Sequence, residues 1–193
     1  MNFNIDEILN KLNRPFVSED DFKFELAWTI KETYKDYNIR LEYSPKIDPS
    51  LHYDILVIID NDKWIPIELK YKPKEEIIKI DNEEFVLKNQ GGHTDNCYKI
   101  IKDIERLERT KKLLKNTNIK FLEGYSITIT NDSKYLTNTY NPYSLIDKTT
   151  IKTNPTDKYP ISLDNEYYIN WEPYLNNSNF YILTIKVEGE NNV

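Results

Sequence analysis

Apolar residues recur at intervals of three and four near the start of the chain, and this spacing predicts two amphipathic helices. The first has Asn4 as its N-cap and ends at Arg14-Pro15, because proline cannot continue a helix. Its apolar positions are Ile5, Ile8, Leu9 and Leu12. The second is predicted to begin at Ser18 and to run to about Tyr34. Its apolar stripe consists of Phe22, Leu26 and Ile30.

Two adjacent stretches in the middle of the chain have the pattern of strands instead. The aliphatic run Ile55 to Ile59 is followed by the turn residues Asp60-Asn61-Asp62 and then by the strand-like run Ile65 to Tyr71. If Asn61 is the centre of the turn, Asp54 lies opposite Glu68, and cross-strand partners are roughly 5 Å apart at Cβ. The sequence therefore predicts a hairpin that brings these two carboxylates together.

The alternation of side chains along a strand assigns the charged residues of the hairpin to one face. Glu68 and Lys70 share a face, and burial of the other face forces both to point the same way. The residues of that other face are Ile67, Leu69 and Tyr71. Pro66 has no N–H for the ladder, so it indicates an edge, a bulge or a kink at this point.

The rest of the chain is predicted from shorter patterns. We expect the charged residues 72–84 to form a loop or excursion, and residues 131–160, rich in Asn, Thr, Tyr and Pro, to form a long surface loop. The further elements expected are a first strand at 40–44, the longest helix at 96–115, and strands at 124–130 and 180–187.

Composition agrees with a single domain that spans residues 1–193. A chain of this length can bury a substantial core, and its 39% hydrophobic and 13% aromatic residues are too apolar for a disordered chain. The single Cys97 excludes an internal disulfide and fits a reducing compartment. No signal peptide and no membrane span is recognisable, so we expect a cytoplasmic protein that does not engage a membrane. The net charge of −6 argues against a simple nucleic-acid coat protein.

The predicted hairpin carries the chemistry of a metal site. Carboxylate oxygens are ligands that Mg²⁺ prefers, and an ammonium two residues away supplies a charge for phosphate. A Glu-x-Lys sequence on a strand is more often a solvated face. Asp54, however, opens a run of five aliphatic residues, and a lone carboxylate there needs a hydrogen-bond partner, a cation or a metal ion.

These residues resemble the PD-(D/E)xK phosphodiesterase superfamily, which has the restriction-endonuclease-like fold. Its pattern is a helix with a glutamate, a strand with an aspartate, and a strand with (Asp/Glu)-x-Lys. Here these are the helix after Ser18, Asp54 and Glu68-Leu69-Lys70, with Tyr53 in place of the proline. The resemblance covers about residues 15–130 and leaves 131–193 as a loop with an added strand. It implies an α/β core in which helices flank a central mixed sheet.

The helix glutamate has two candidates, Glu19 and Glu25. At 100° per residue, Glu19 lies about 20° from Leu26, inside the apolar stripe, and Glu25 lies about 100° away. An inward carboxylate needs a partner or a metal ion, so we favour Glu19. The alternative is that Glu19 is a first-turn acid that interacts with the helix dipole.

Candidates for contacting a substrate surround the hairpin. The lysines that flank it are Lys63, Lys72, Lys74 and Lys79. The resemblance implies that Gln90 hydrogen-bonds a metal-bound water or a phosphate, and that the carbonyl of Leu69 joins Asp54 and Glu68 as a metal ligand. A basic stripe on the long helix can follow a phosphate backbone, but a solvated face is the interpretation we favour. This stripe consists of Lys99, Lys102, Arg106 and Arg109.

The resemblance implies an Mg²⁺- or Mn²⁺-dependent nuclease that hydrolyses phosphodiester bonds, in DNA rather than RNA, with Asp54, Glu68, Lys70 and Glu19 as catalytic residues. Cutting both strands would call for a homodimer or a partner protein, and a role in host defence is suggested by analogy only. Two alternatives stay open. One is a catalytically silent module that binds nucleic acid or protein within a larger complex, and the other is a hydrolase of another phosphate ester.

Overall fold

The computed structural model describes residues 3–80, 82–139, 142–152, 160–175 and 178–189. Its helices are α1 (Ile5–Leu9), α2 (Glu19–Thr33), α3 (His93–Leu114) and α4 (Lys134–Thr137). Its strands are β1 (Asn38–Tyr43), β2 (Tyr53–Ile59), β3 (Lys63–Tyr71), β4 (Glu76–Ile80), β5 (Glu83–Leu87), β6 (Lys120–Phe121), β7 (Glu123–Thr130), β8 (Thr150–Ile151), β9 (Tyr167–Tyr168), β10 (Trp171–Pro173) and β11 (Tyr181–Glu188).

A mixed sheet of seven strands forms the centre of the fold, in the order β1-β2-β3-β7-β11-β10, with β6 paired to β3. The first three strands are antiparallel neighbours. Strand β7 then runs parallel to β3, and α3 makes the crossover between them. The remaining strands are antiparallel again. The predicted α/β class with a mixed sheet flanked by helices is therefore confirmed.

The hairpin of β2 and β3 has the register that the sequence predicts. The pairs run from Ile59 opposite Lys63 to Ile55 opposite Ile67, so the same register continued by one position leads to Asp54 and Glu68. Asp60 and Asn61 have φ angles of 52° and 68° in the turn. Asn and Asp tolerate this left-handed conformation better than most residues, which explains their presence between two apolar runs.

Pro66 lies where the neighbour of β3 changes, and this explains how the central strand tolerates it. β6 pairs with β3 at Trp64, and β7 pairs with it from Ile67 onward. One extra residue, Leu122, lies between the two paired segments and shifts the register, which amounts to a bulge beside Pro66. The missing N–H of Pro66 therefore falls where the ladder is interrupted. Of the edge, bulge or kink that the sequence predicts here, the structure shows the bulge.

The two faces of the sheet bury separate clusters. Helices α1 and α2 cover the face that includes Ile55, Ile67 and Leu69. Helix α3 covers the other face, where Leu56 and Trp64 pack against it. Since side chains alternate along β3, Glu68 and Lys70 point to the α3 side.

The predicted helix starts are confirmed by their caps. The Asn4 side chain accepts from the N–H groups of Asp6 and Glu7, and the Ser18 hydroxyl accepts from Asp21 N at 3.0 Å. These caps satisfy N–H groups that the helix itself leaves unpaired. Helix α1 is shorter than its apolar pattern suggests, because the residues after Leu9 form turns.

Two regions contain more regular structure than the sequence predicts. Of the loop or excursion that the sequence predicts for residues 72–84, the structure shows an excursion, in which β4 and β5 make a separate two-stranded sheet with Phe85 and Leu87 buried. Helix α4 and the short strands β8 to β10 lie within the segment expected to be loop plus one strand, and the predicted final strand is β11. No helix among the described residues is long and apolar enough to cross a membrane.

Candidate active site

Asp54, Glu68 and Lys70 come together at the end of the hairpin that is remote from its turn. Asp54 is at the start of β2, and the other two are near the end of β3. The side chains of Glu68 and Lys70 contact α3, and the Asp54 carboxylate contacts the backbone of β3 at Leu69, between them. The structure thus brings these three residues to one region of the sheet.

Asp54 is fixed by the backbone of the opposite strand. The β2–β3 ladder pairs end at Ile55 and Ile67, and one residue further the Asp54 Oδ2 accepts a hydrogen bond from Leu69 N at 2.7 Å. The carboxylate thus takes the place of a ladder acceptor where the strands part. Burial raises the pKa of Asp54, and Lys70 and the Leu69 N–H oppose this shift.

Glu68 is a carboxylate in the interior, with only 2% of its surface exposed. Its Oε2 lies 2.8 Å from Arg106 Nη1. Its Oε1 is buried and has no hydrogen-bond partner among the described residues. Burial raises the pKa of Glu68 well above its usual value, nearby Asp103 adds to the shift, and Arg106 opposes it. An unpaired buried carboxylate oxygen is costly, so this oxygen is the strongest local indication that the site binds a further group.

Lys70 is held between the backbone and a second buried acid. Its Nζ donates to the carbonyl of Leu69 at 2.8 Å and lies 2.8 Å from Asp103 Oδ2. Burial alone would lower the pKa of Lys70, but Asp103 and then Glu19 raise it above the usual value. The ammonium group therefore stays charged at neutral pH.

Sequence reasoning missed Asp103 altogether and placed Arg106 on the solvated face of α3. Asp103 is 2% exposed, and Arg106 bridges it to Glu68. Burial raises the pKa of Asp103, while Lys70 and Arg106 oppose the rise. The signal was available: at 100° per residue Asp103 lies about 40° from Leu107, within the apolar stripe of α3. A carboxylate in that position requires a cationic partner.

Glu19 and Glu25 have different surroundings. The Glu19 Oε2 accepts from Tyr71 N at 2.9 Å and pairs with Lys72 Nζ at 2.9 Å, at the end of β3. Glu25 pairs with Arg14 at 3.0 Å instead. Glu19 is therefore the glutamate of α2 that faces the strand carrying Glu68 and Lys70. Its charge contributes to the shifts in the pKa of Asp54 and of Lys70.

The predicted substrate contacts are less well supported. Lys72 is paired with Glu19, so its charge already has a partner within the protein. Gln90 is exposed, and its backbone N–H closes the β4–β5 excursion by donating to Pro73 O at 2.9 Å. Lys63 pairs with Asp60 at the turn, five residues from Glu68 and so about 17 Å away along the strand. Lys79 pairs with Glu84.

The basic stripe of α3 is mostly a set of ion pairs, as the favoured interpretation holds. Lys99 pairs with Asp95 at 2.6 Å, Lys102 pairs with Glu105, and Arg109 pairs with Asp48. Arg106 is the exception to the solvated interpretation, because its side chain is directed toward the sheet and pairs with buried acids there.

The donor chemistry of the site fits a hard divalent cation. Asp54, Glu68 and the Leu69 carbonyl offer only oxygen, and Glu68 Oε1 is unpaired among the described residues. Within the part of the chain that the structure describes, no three Asp, Glu, His or Cys side chains are grouped to hold a metal ion. Mg²⁺ needs no such group, because it is usually bound by one or two carboxylates together with waters and substrate phosphates.

His52, His93 and Cys97 also have partners within the protein. The His93 ring lies 4.5 Å from the Tyr135 ring, tilted by 51°, and the fully buried Cys97 lies beside His93. His52 pairs with Glu42 at 3.0 Å on the surface. Comparison of the chain with protein-family models, curated proteins and solved structures finds no match.

Proposed function

We propose that this protein is a divalent-metal-dependent nuclease of the PD-(D/E)xK type that hydrolyses phosphodiester bonds in DNA. The observation that supports the proposal is the end of the β2–β3 ladder: beyond Ile55 and Ile67, Asp54 accepts a hydrogen bond from the N–H of Leu69, the residue between Glu68 and Lys70. The order of elements also supports it. A helix with Glu19, a strand with Asp54, a strand with Glu68 and Lys70, and a following helix occur in the order that the resemblance implies.

Each residue has a role that follows from its contacts. Asp54, Glu68 and the Leu69 carbonyl would hold the cation. When bound, Mg²⁺ would polarise a phosphoryl oxygen and lower the pKa of a water. Lys70 is fixed by Asp103 and the Leu69 carbonyl, so its ammonium charge is already in position to stabilise negative charge on the phosphate or to orient the attacking water. Glu19 keeps the end of β3 in place through Tyr71 N and adds negative charge near Lys70.

The experiment is cleavage of plasmid, linear and single-stranded DNA, and of an RNA oligomer, by the purified protein with Mg²⁺ or Mn²⁺. We expect Lys70→Ala and Asp54→Ala each to lower cleavage by roughly 10²-fold or more, the usual loss when a charge-stabilising or metal-binding group is removed. Lys63→Ala is the matched control, because it removes a lysine from the exposed far end of the same strand. Products with a 5′-phosphate would agree with the resemblance.

One observation favours a catalytically silent binding module as the second candidate. Both charged groups of Glu68-Leu69-Lys70 are already paired with residues of α3, an arrangement that also suits a purely structural role. DNA binding without cleavage under any metal condition would favour this module and overturn the nuclease. Hydrolysis of a small phosphate ester, with nucleic acid left intact, would favour the third possibility.

A further inference from the structure

Helix α3 supplies a cation that contacts the acid at the centre of the candidate site. Arg106 Nη1 lies 2.8 Å from Glu68 Oε2 and 3.2 Å from Asp103 Oδ1, and it donates to the carbonyl of His52 at 3.3 Å. One guanidinium therefore links α3, β3 and the entry to β2.

Four of the charged groups at the site form a chain of ion pairs that is neutral as a whole. Glu68 pairs with Arg106, Arg106 with Asp103, and Asp103 with Lys70. Two carboxylates and two cations thus balance. Lys70 also donates to the Leu69 carbonyl. Two of the three groups that we assign to the cation, Glu68 and the Leu69 carbonyl, are therefore already contacted by cations of the protein itself.

Arg106 is the member of this chain best placed to move. Its side chain is 32% exposed, whereas those of Glu68, Asp103 and Lys70 are 2%, 3% and 13% exposed. A guanidinium that reaches solvent can turn outward without burying an unpaired charge. The buried carboxylates do not have that freedom.

We propose that Arg106 is a counter-cation for Glu68 that a divalent ion must displace, so that Arg106 sets the affinity of the site for metal. This inference rests on the proposed function for the presence of the metal site. Two positive groups on one buried carboxylate repel each other strongly, because the protein interior screens charge weakly. Binding of the ion at Glu68 therefore costs the contact with Arg106, whichever carboxylate oxygen the ion takes.

The first test measures Mn²⁺ binding by calorimetry at pH 8, without nucleic acid, for the full chain and its Arg106→Gln variant. We expect the variant to bind Mn²⁺ on the order of tenfold more tightly, because a competing positive charge has been removed. A residue with only a structural role would leave the affinity unchanged or weaken it. Arg109→Gln is the matched control: it removes the next arginine of α3, which is exposed and paired with Asp48, and its affinity should equal that of the parent.

The second test uses the unaltered protein, so it holds even where Arg106→Gln fails to fold. The side-chain guanidinium signal of Arg106 is followed by ¹⁵N NMR during titration with Mg²⁺. We expect the signal to shift and its exchange with water to accelerate as the ion binds, while the signal of Arg109 stays constant. An Arg106 signal that does not change at Mg²⁺ saturation overturns the inference.

The failure of this inference can be told apart from the failure of the proposed function. Equal Mn²⁺ affinity of the parent and Arg106→Gln, together with loss of binding in Asp54→Asn, would overturn the role of Arg106 and leave the nuclease proposal intact. If neither the parent nor Arg106→Gln binds Mn²⁺ and DNA is not cut, both proposals are wrong.

Discussion

At the scale of single residues, the candidate site contains two buried acids, Glu68 and Asp103, and balances them with two cations. The Asp103 carboxylate lies 2.8 Å from Lys70 Nζ and 3.2 Å from Arg106 Nη1, and Asp103 is only 2% exposed. Lys70 is nearly buried as well, so the pair has little access to water that could replace a missing partner. Removing one member of such a pair leaves the other as an uncompensated charge in a medium of low polarity.

We therefore predict that Asp103→Ala lowers the free energy of unfolding by about 3–5 kcal/mol, as is typical when one partner of a buried ion pair is removed. Urea denaturation followed by circular dichroism would measure it. Asp95→Ala is the control, because the Asp95–Lys99 pair on the same helix is exposed, and we expect it to cost less than about 1 kcal/mol. Equal changes in the free energy of unfolding for the two substitutions would mean that the buried ion pair contributes no more to stability than the exposed one.

The sequence alone identified one half of this site and missed the other. Asp54 and Glu68 could be predicted because the turn at Asn61 and the period of two along a strand decide which residues are opposite and which share a face. Asp103 and Arg106 were missed because their partners are set by how α3 crosses the sheet, and no local pattern encodes that crossing. The burial of Asp103 within an apolar stripe was the one available clue.

At the scale of elements, the start of α2 is tied to the chain that precedes it, and this places Glu19 at the end of β3. Arg14 contacts Asp21 through two nitrogens, at 3.0 and 2.8 Å, and it also reaches Glu25. Asp21 in addition accepts from Val17 N at 3.0 Å. These contacts fix the direction in which the helix leaves the loop, and Glu19 occupies its first residue.

This arrangement predicts a dependence of stability on pH that the Asp21→Asn variant isolates. Burial would raise the pKa of Asp21, but the hydrogen bonds from Arg14 and Val17 lower it below its usual value. A carboxylate with a lowered pKa stabilises the fold above its unfolded pKa of about 3.9, and this contribution is lost as the pH falls through the folded value. Since the pair is partly exposed, we expect Asp21→Asn to cost about 1 kcal/mol at pH 7.

The measurement is the free energy of unfolding of the parent and of Asp21→Asn between pH 7 and pH 3. The difference between the two proteins should stay constant down to about pH 5 and then shrink, because Asp21 of the parent is protonated first in its unfolded state and then in its folded state. A difference that does not change over this whole range would contradict the assignment. Taking the difference removes the other acidic groups, which titrate in both proteins.

Elements could be predicted where their pattern is long and were missed where it is short. Helix α2 has a cap and a stripe of three apolar positions, and β7 alternates over eight residues. Strands β4 and β5 have five residues each, and their apolar residues lie in and beside the charge-dense stretch 72–84, which hides the strand pattern. Phe85 and Leu87 reach the core, a tertiary contact that the charged stretch does not reveal.

At the scale of the whole molecule, the candidate site joins segments that are distant in the chain. Glu19 comes from α2, Asp54 from β2, Glu68 from β3, and Asp103 and Arg106 from α3. The unfolded chain cannot bring these groups together. A cation held by Asp54 and Glu68 would therefore bind the folded state alone and stabilise the entire fold by mass action.

The size of that stabilisation follows from linkage, and it makes the metal site testable without any substrate. At a hundred times its dissociation constant, a ligand of the folded state adds about 2.7 kcal/mol. For a chain of this size, 1 kcal/mol raises the melting temperature by about 2–4 °C, so Mg²⁺ at saturation should raise it by about 5–10 °C. EDTA should reverse the rise, and Asp54→Asn should abolish it. Asp95→Asn removes an exposed acid and should keep the full effect. A rise that persists in Asp54→Asn would show that the cation binds elsewhere on this acidic protein.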